Sequence, residues 1–374
     1  MQTQAKSTVP SKRDRLGTIA DLLDRSGIDI DDVDRIQNVK LWQGFFKDED
    51  GEAHVVDMSG VTLAPTWDDG PEWPVVQPAK PVRPRSSPAK PKAVGEPLTA
   101  CIFPDPQIGF RALNGTLDPF HCETSMALAL AITKSLRPDK VVNLGDFLDF
   151  AEFSRFEQDP EFANTTQASI DRAHEYLGQQ REVSRDDTEI ELIEGNHDRR
   201  LAKHVIANAR AALRLRQANT PESWPVLSVP NLLRLDELGV KYVEGYPAGI
   251  TWLNDRLACV HGERLKVAQV VDEERVSVIQ GHIHRIARQH KTWRTPKGPR
   301  TTLAASPGCL CRIDGAVPST KSSTQSDGTP IMRPEDWQNG MCVVTYMPGD
   351  GEFQLELVPF HNGSTYFRGK RFSV

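Results

Sequence analysis

Five short apolar runs in this chain each stop at side chains of the kind that bind metal ions, and that repetition leaves few folds open. The most distinctive is ELIEGNHDRR at residues 191–200, where an alternating stretch ends at Gly195 and hands over to Asn196, His197 and Asp198. The others are Asp105 and Gln107 in FPDPQIGF, Asp146 and Asp149 in LGDFLDF, His261 in CVHGE, and His282 and His284 in QGHIHR. A lone Gly-His-x-His arises by chance in many sequences, and a lone histidine is usually a surface histidine. Five strand-like runs with such ends are hard to make by chance, and the carboxyl edge of an open α/β sheet is where ligand chemistry collects.

The spacing between the runs supplies the topology. Strands are expected at 98–103, 141–144 and 189–193, with helices at 122–136 and 165–180 between them. This β-α-β-α-β rhythm predicts parallel strands joined by right-handed crossovers, which sets the motifs along one edge of one sheet. Further strands are expected at 241–243, 257–260 and 276–280. Beyond Gly281 hairpins follow, around 289–305, 342–347 and 353–358. His282 and His284, if extended, point the same way, so both imidazoles can face one cluster.

The first 97 residues differ in character. In residues 13–26, Leu16, Ile19, Leu22 and Leu23 recur at helical spacing and Gly27 closes the run. VKLWQGFF and AHVVDMSGVTL then predict two strands joined at 48–51, which makes residues 1–70 a small α+β module. Its 14 acidic residues against 8 basic ones argue against nucleic-acid contact, so its expected role is docking a protein partner, selecting substrate, or covering the catalytic domain. Residues 71–97 are proline-rich and predict an extended, semi-rigid linker carrying Lys80, Arg83, Arg85, Lys90 and Lys92. The catalytic domain is expected at 98–374.

No apolar run is long enough for a transmembrane helix, and the first residues lack the apolar core of a signal peptide, so a cytoplasmic protein with no membrane partner is expected. The six cysteines lack paired zinc-site spacing; Cys309-x-Cys311 is included with them as small, reduced core residues.

In order and spacing the five blocks resemble the calcineurin-like metallophosphoesterase superfamily, whose blocks are Asp-x-His, Gly-Asp-x-x-Asp, Gly-Asn-His-Asp/Glu, a lone His and Gly-His-x-His. The resemblance covers roughly residues 98–310, with Gln107 replacing the imidazole of the first block. It implies an α/β (α+β mixed) fold, a four-layer sandwich of two facing mixed β-sheets flanked by helices. An acidic module with a linker ahead of this domain resembles bacteriophage-encoded members.

The resemblance also implies hydrolysis of phosphoric esters by two divalent ions, which at roughly 3.5–4 Å apart clamp a water and the phosphate. On the matching positions, Asp146 bridges both ions. Asp105, Gln107 and His284 complete one shell, and Asn196, His261 and His282 the other. Two carboxylates, two amide oxygens and three imidazoles suit Mn2+, with Fe or Zn as alternatives, better than Ca2+. The weaker Gln107 oxygen should loosen the first ion. His197 is implied as the acid or hydrogen-bond donor to the leaving oxygen, with Asp149 orienting it; a capping carboxylate is the other reading of Asp149.

Two segments bear on the substrate. Arg199, Lys203, Arg210 and Arg214 fall within about 60° on one helical wheel, a basic stripe that suits a nucleic-acid backbone or simply a solvated face. Trp293 lies among His290, Lys291, Arg294, Lys297 and Arg300, a pattern that could stack a base or belong to ordinary sheet. The expected function is metal-dependent phosphodiester hydrolysis of nucleic acid, in the manner of an exo- or endonuclease. The alternatives are a cyclic-nucleotide phosphodiesterase, a phosphoprotein phosphatase, or a non-catalytic scaffold.

Overall fold

The computed structural model of the protein describes residues 36–47, 53–63, 95–113, 115–154, 162, 164–320, 323–324 and 330–374. The helix expected at 13–26 and the proline-rich stretch up to residue 94 lie outside these. The chain divides into two compact units, Met1–Gln77 and Pro78–Val374. In the first, β1 (Ile36–Lys47) and β2 (Ala53–Leu63) form an antiparallel hairpin with Val39 opposite Val61 and Phe46 opposite His54.

In the second unit the expected β-α-β-α-β order is present. It runs through β3 (Leu98–Phe103), a hairpin of β4 (Phe110–Leu113) and β5 (Thr116–Pro119), α1 (Glu123–Leu136), β6 (Lys140–Asn143), α2 (Thr166–Val183) and β7 (Glu189–Ile193). After α3 (Arg199–Asn208) and the single turns α4 (Val229–Leu232) and α5 (Leu235–Leu238) come β8 (Val240–Val243), β9 (Ile250–Asn254) and β10 (Leu257–Val260). Then follow α6 (Val267–Glu273), β11 (Ser277–Gln280) and a long hairpin of β12 (Ile286–Thr295) and β13 (Gly298–Pro307). A two-residue ladder of β14 (Ser323–Thr324) and β15 (Pro330–Ile331) precedes β16 (Gly340–Tyr346), β17 (Phe353–Pro359), β18 (Ser364–Phe367) and β19 (Lys370–Ser373).

Two mixed sheets result. One has the order β17-β16-β3-β6-β7-β8, with β3, β6, β7 and β8 parallel; the other has the order β12-β13-β11-β10-β9, with β10, β11 and β13 parallel. Strand β3 is buried on both faces, which is why its sequence reads as a continuous apolar run. Ala100 and Ile102 face a core shared with Cys259, Ile279 and Ala305 of the second sheet. Cys101 and Phe103 face Met126, Ile132 and Tyr176 of α1 and α2. On the outside of the second sheet Val270 and Val271 of α6 cover Val278 and Ala304. The layers are therefore helices, sheet, sheet, helix, a mixed α/β sandwich.

The segment after His197 corrects one expectation. Helix α3 ends at Asn208, where Ala209 leaves helical backbone, and only a 3-10 turn at Arg210–Ala212 follows. Its core-facing residues are Leu201 and Val205, while Leu213 and Leu215 are exposed. With nothing apolar left to bury, local propensity does not carry the helix further. Arg210 and Arg214 therefore leave the stripe begun by Arg199 and Lys203.

Polar groups tie the layers together. Asn143 and Gln180 exchange amide hydrogen bonds of 3.0 and 2.9 Å beneath α2. Glu191 accepts from Thr251 of the opposite sheet at 2.7 Å and pairs with Lys241 at 2.9 Å and Lys140 at 3.1 Å. Burial alone would raise the Glu191 pKa, but Lys241, Thr251 and Lys140 together hold it below the ordinary glutamate value. A carboxylate depressed in this way stabilises the fold above its unfolded pKa of about 4.3, and that contribution is lost as pH falls through the lower folded value. Glu191→Gln should cost about 1–3 kcal/mol at neutral pH in urea unfolding. The gap between wild type and variant should narrow below about pH 4.

Candidate metal centre

The five motif loops leave the carboxyl ends of β3, β6, β7, β10 and β11, and the two-sheet arrangement brings these ends together. Asp146, His261 and His282 form one group whose ligand atoms all lie within 4.8 Å of one another, and Asp105, Asp146 and His284 form a second. Asp146 belongs to both. Asn196 joins the first group, with its Oδ1 3.0 Å from His261 Nε2. Gln107 is buried beside the second, and its N–H donates to the Asp146 carbonyl at 2.9 Å.

The backbone here is unusual. Asp105, Gln107, Asp146, His282 and His284 all adopt positive φ, between 36° and 64°. Non-glycine residues rarely do so, and each instance costs of order 1–3 kcal/mol unless the surroundings enforce it. For His282 and His284 this corrects the expected extended geometry: the chain turns tightly through Ile283, whose N–H donates to the Gly281 carbonyl at 2.6 Å. The two imidazoles reach one cluster by left-handed turns and not by strand alternation.

Glycines make room for the approach of the loops. A Cβ on Gly195 would lie 2.1 Å from the Asp146 nitrogen, and one on Gly145 would lie 2.8 Å from the Gly195 nitrogen. Asp198, to which the sequence analysis gave no role, clamps the two loops. Its carboxylate accepts from Gly195 N–H at 2.9 Å, Leu148 N–H at 3.0 Å and Phe147 N–H at 3.1 Å. Burial and the Asp146 charge push its pKa up to about 7, against the pull of those donors.

Several buried polar atoms here lack hydrogen-bond partners: Asp105 Oδ2, Gln107 Oε1 and both ring nitrogens of His284. His261 Nδ1 faces the Leu144 carbonyl at 2.9 Å, the contact of an N–H donor, which turns Nε2 toward Asn196 Oδ1 and toward Asp146 Oδ1 at 3.4 Å. Positive charge is favoured at that point. Burial lowers the His261 pKa, but Asp146 and Asp105 lift it to about 9. His282 has the reverse balance: burial and the neighbouring His261 bring it down to about 4, so its imidazole is neutral. Burial also raises the Asp146 carboxyl, yet His197, His261 and His282 hold it well below the usual range.

His197 stands at the rim of this cluster. Its N–H donates to Asp146 Oδ1 at 2.8 Å, and its Nδ1 lies 3.1 Å from the Asp149 carbonyl and 3.2 Å from Asp149 Oδ2. Its Nε2 faces Arg200 Nη2 at 3.1 Å, a contact the sequence analysis did not foresee. Burial lowers the His197 pKa and Asp146 outweighs it, leaving a net rise. A cleft of about 550 Å³ opens here, lined by Phe153, Asn196, Arg200, Lys203, Tyr246 and His282 among others. Lys203 therefore adjoins the cluster. Arg199 faces away and pairs with Glu194 at 3.3 Å. Trp293 is not among the cleft residues; its ring lies under Arg275 at 4.1 Å and Lys291 at 4.2 Å.

No protein-family model matches the chain. Over 277 residues, 70% of this chain, it is 27% identical to the Gene 54 protein of Mycobacterium phage D29, covering 94% of that protein. The Gene 54 protein of Mycobacterium phage L5 is 25% identical over 277 residues, 70% of this chain and 97% of its own length. Among solved structures the chain is similar to YfcE, a phosphoesterase from E. coli, with 12% identity, 70% of this chain and 99% of that one covered, and a TM-score of 0.28. Among the described residues, no helix is long and apolar enough to cross a membrane.

Addition of Mn2+ should raise the melting temperature of the wild type, with about 2.7 kcal/mol of stabilisation at a hundred times Kd. Asp146→Asn should abolish the rise. Asp198→Asn should shrink it by scanning fluorimetry without touching a ligand atom, because an amide NH2 would then meet backbone N–H donors.

Proposed function

We propose that this chain is a binuclear metal-dependent phosphodiester hydrolase acting on nucleic acid. The observation that carries this reading is the pair of ligand groups sharing Asp146, set beside a cleft lined by cations and rings. The residues fit such a centre. Asp105 Oδ2, Gln107 Oε1 and the His284 imidazole are buried without hydrogen-bond partners and offer lone pairs to a cation, one of them from the imidazole, and the mixed oxygen and nitrogen set suits Mn2+, Fe2+ or Zn2+.

Asp105, Gln107, Asp146 and His284 would hold one ion, and Asp146, Asn196, His261 and His282 the other. The ions would supply charge neutralisation on the phosphoryl oxygens and an activated water. The chain's own residues do the rest. Asp149 holds the Nδ1 side of His197, so Nε2 is turned toward Arg200 of the cleft lining and can give a proton or hydrogen bond to a leaving oxygen that enters there. Arg200 donates to the Asp149 carbonyl at 2.8 Å and reaches Nε2 with its other amine. A phosphate entering between the two would replace that contact with one to each of them. Lys203 extends the positive rim along the path of a polyanion, and Phe153 and Tyr246 offer ring faces to bases.

The test is Mn2+-dependent hydrolysis of bis-p-nitrophenyl phosphate, 2′,3′-cyclic AMP and end-labelled single- and double-stranded DNA. DNA should be cleaved faster than the cyclic nucleotide, and His197→Ala should lower every rate by roughly 10²–10⁴-fold. Cleavage of only the small diesters would overturn the nucleic-acid assignment. Lys203→Ala should weaken DNA cleavage and reduce its salt dependence while leaving the small diester rate near wild type.

A further inference from the structure

A sixth strand end reaches the same edge. Strand β13 runs parallel to β11, so the loop after Pro307 leaves beside the loop that carries His282 and His284. That loop holds Cys309 and Cys311, both fully buried. The Nδ1 or Nε2 of His284 and the two sulfur atoms all lie within 4.8 Å of one another, and His284 is also a member of the Asp105 and Asp146 group.

The loop is fixed in this position. Leu310 N–H donates to the Pro104 carbonyl at 3.0 Å and to the Asp105 carbonyl at 3.2 Å, which ties the cysteine loop to the first motif. Cys309 N–H donates to Gln338 at 3.0 Å, and Gln338 N–H donates to the His284 carbonyl at 2.9 Å. Asn339 Nδ2 donates to the carbonyls of Cys309 and Cys311 at 3.1 and 2.7 Å. Gly308, at φ +93°, passes so close to Gln338 that a Cβ would lie 2.3 Å from its carbonyl oxygen.

The thiols border an apolar cluster with Phe120, Phe162 and Val317, where small core residues would also fit. Filling that space requires only a small apolar side chain. It does not require two sulfurs grouped with an imidazole whose ring nitrogens both lack a hydrogen-bond partner. Resting on the reading of His284 as a metal ligand, we propose that Cys309 and Cys311 are thiolates that, with His284, hold a thiophilic divalent cation at this end of the cluster, zinc above manganese. Soft sulfur donors select Zn2+, Fe2+ or Co2+ over Mn2+. Metal–sulfur bonds of about 2.3 Å place tetrahedral donors about 4 Å apart, so small side-chain rotations close the group. Each thiol that binds releases one proton to solvent as its metal–sulfur bond forms.

The experiment is titration of Co2+ into the full-length, metal-stripped protein, followed by absorbance. A thiolate-to-cobalt charge-transfer band in the near ultraviolet is expected in the wild type. It should be lost in Cys309→Ser/Cys311→Ser and kept in Cys342→Ser, whose cysteine lies in the core between the sheets. Zinc should protect Cys309 and Cys311 of the wild type from alkylation, read by peptide mass spectrometry. The double variant should bind Zn2+ roughly a hundredfold more weakly, at least the loss seen when a ligand's outer partner is removed, and Mn2+ with little change. Cobalt bound with ligand-field bands only, or a sulfur band that survives the double substitution, would overturn the thiolate assignment and leave the metal centre standing. Failure of the wild type to bind cobalt would overturn both. The wild-type spectrum decides the matter even if the double variant fails to fold.

Discussion

The rest of the site depends on one unfavourable arrangement: several buried lone pairs directed at the same small volume around Asp146. Two carboxylates, the Asn196 amide oxygen and three imidazoles meet there, on a backbone forced to positive φ at five positions. Left alone, like charges and unpaired acceptors in a poorly solvated place repel one another and desolvation adds to the cost. The fold tolerates this because a positive centre resolves it, whether a proton on His261 or a divalent cation. The raised His261 pKa and the depressed Asp146 pKa express the same demand for positive charge from its two sides.

What holds the loops against that repulsion is mostly main chain. Asp198 gathers three N–H groups from two loops, Gln107 donates to the Asp146 carbonyl, and His282 N–H donates to Asp105 Oδ1 at 2.8 Å. Glycines at 145 and 195 permit backbone approach that no other residue would. The side chains around Asp146 are thus held in place by the protein's own main chain.

Much of this was legible in the sequence. The parallel strands declared themselves as apolar runs buried on both faces, and α1 and α2 had the length and spacing of core helices. The residues that gather around Asp146 were legible because each follows a strand end. Other features were not, for identifiable reasons. Helix α3 reads as longer than it is, since periodicity cannot show where the core runs out. Strand β9 and helix α6 are too short to rise above the background of local pattern. Arg200 and Asp198 act through backbone contacts, to which residue type gives no clue. Cys309 and Cys311 lack the spacing that marks a metal pair, and only the parallel pairing of β13 with β11 sets them beside His284.

The span of these contacts has a consequence for how the molecule comes into being. His282 N–H reaches Asp105 across 177 residues of chain, and His261 reaches the Leu144 carbonyl across 117. Loop closure over such distances precedes any reward from the contacts that close it. The cluster cannot exist in an early, locally structured ensemble, nor on a nascent chain that has not yet released residue 284. The cluster around Asp146 therefore exists only once both sheets have closed, and a protease or chaperone meeting the chain before that moment encounters a protein in which these side chains are still far apart.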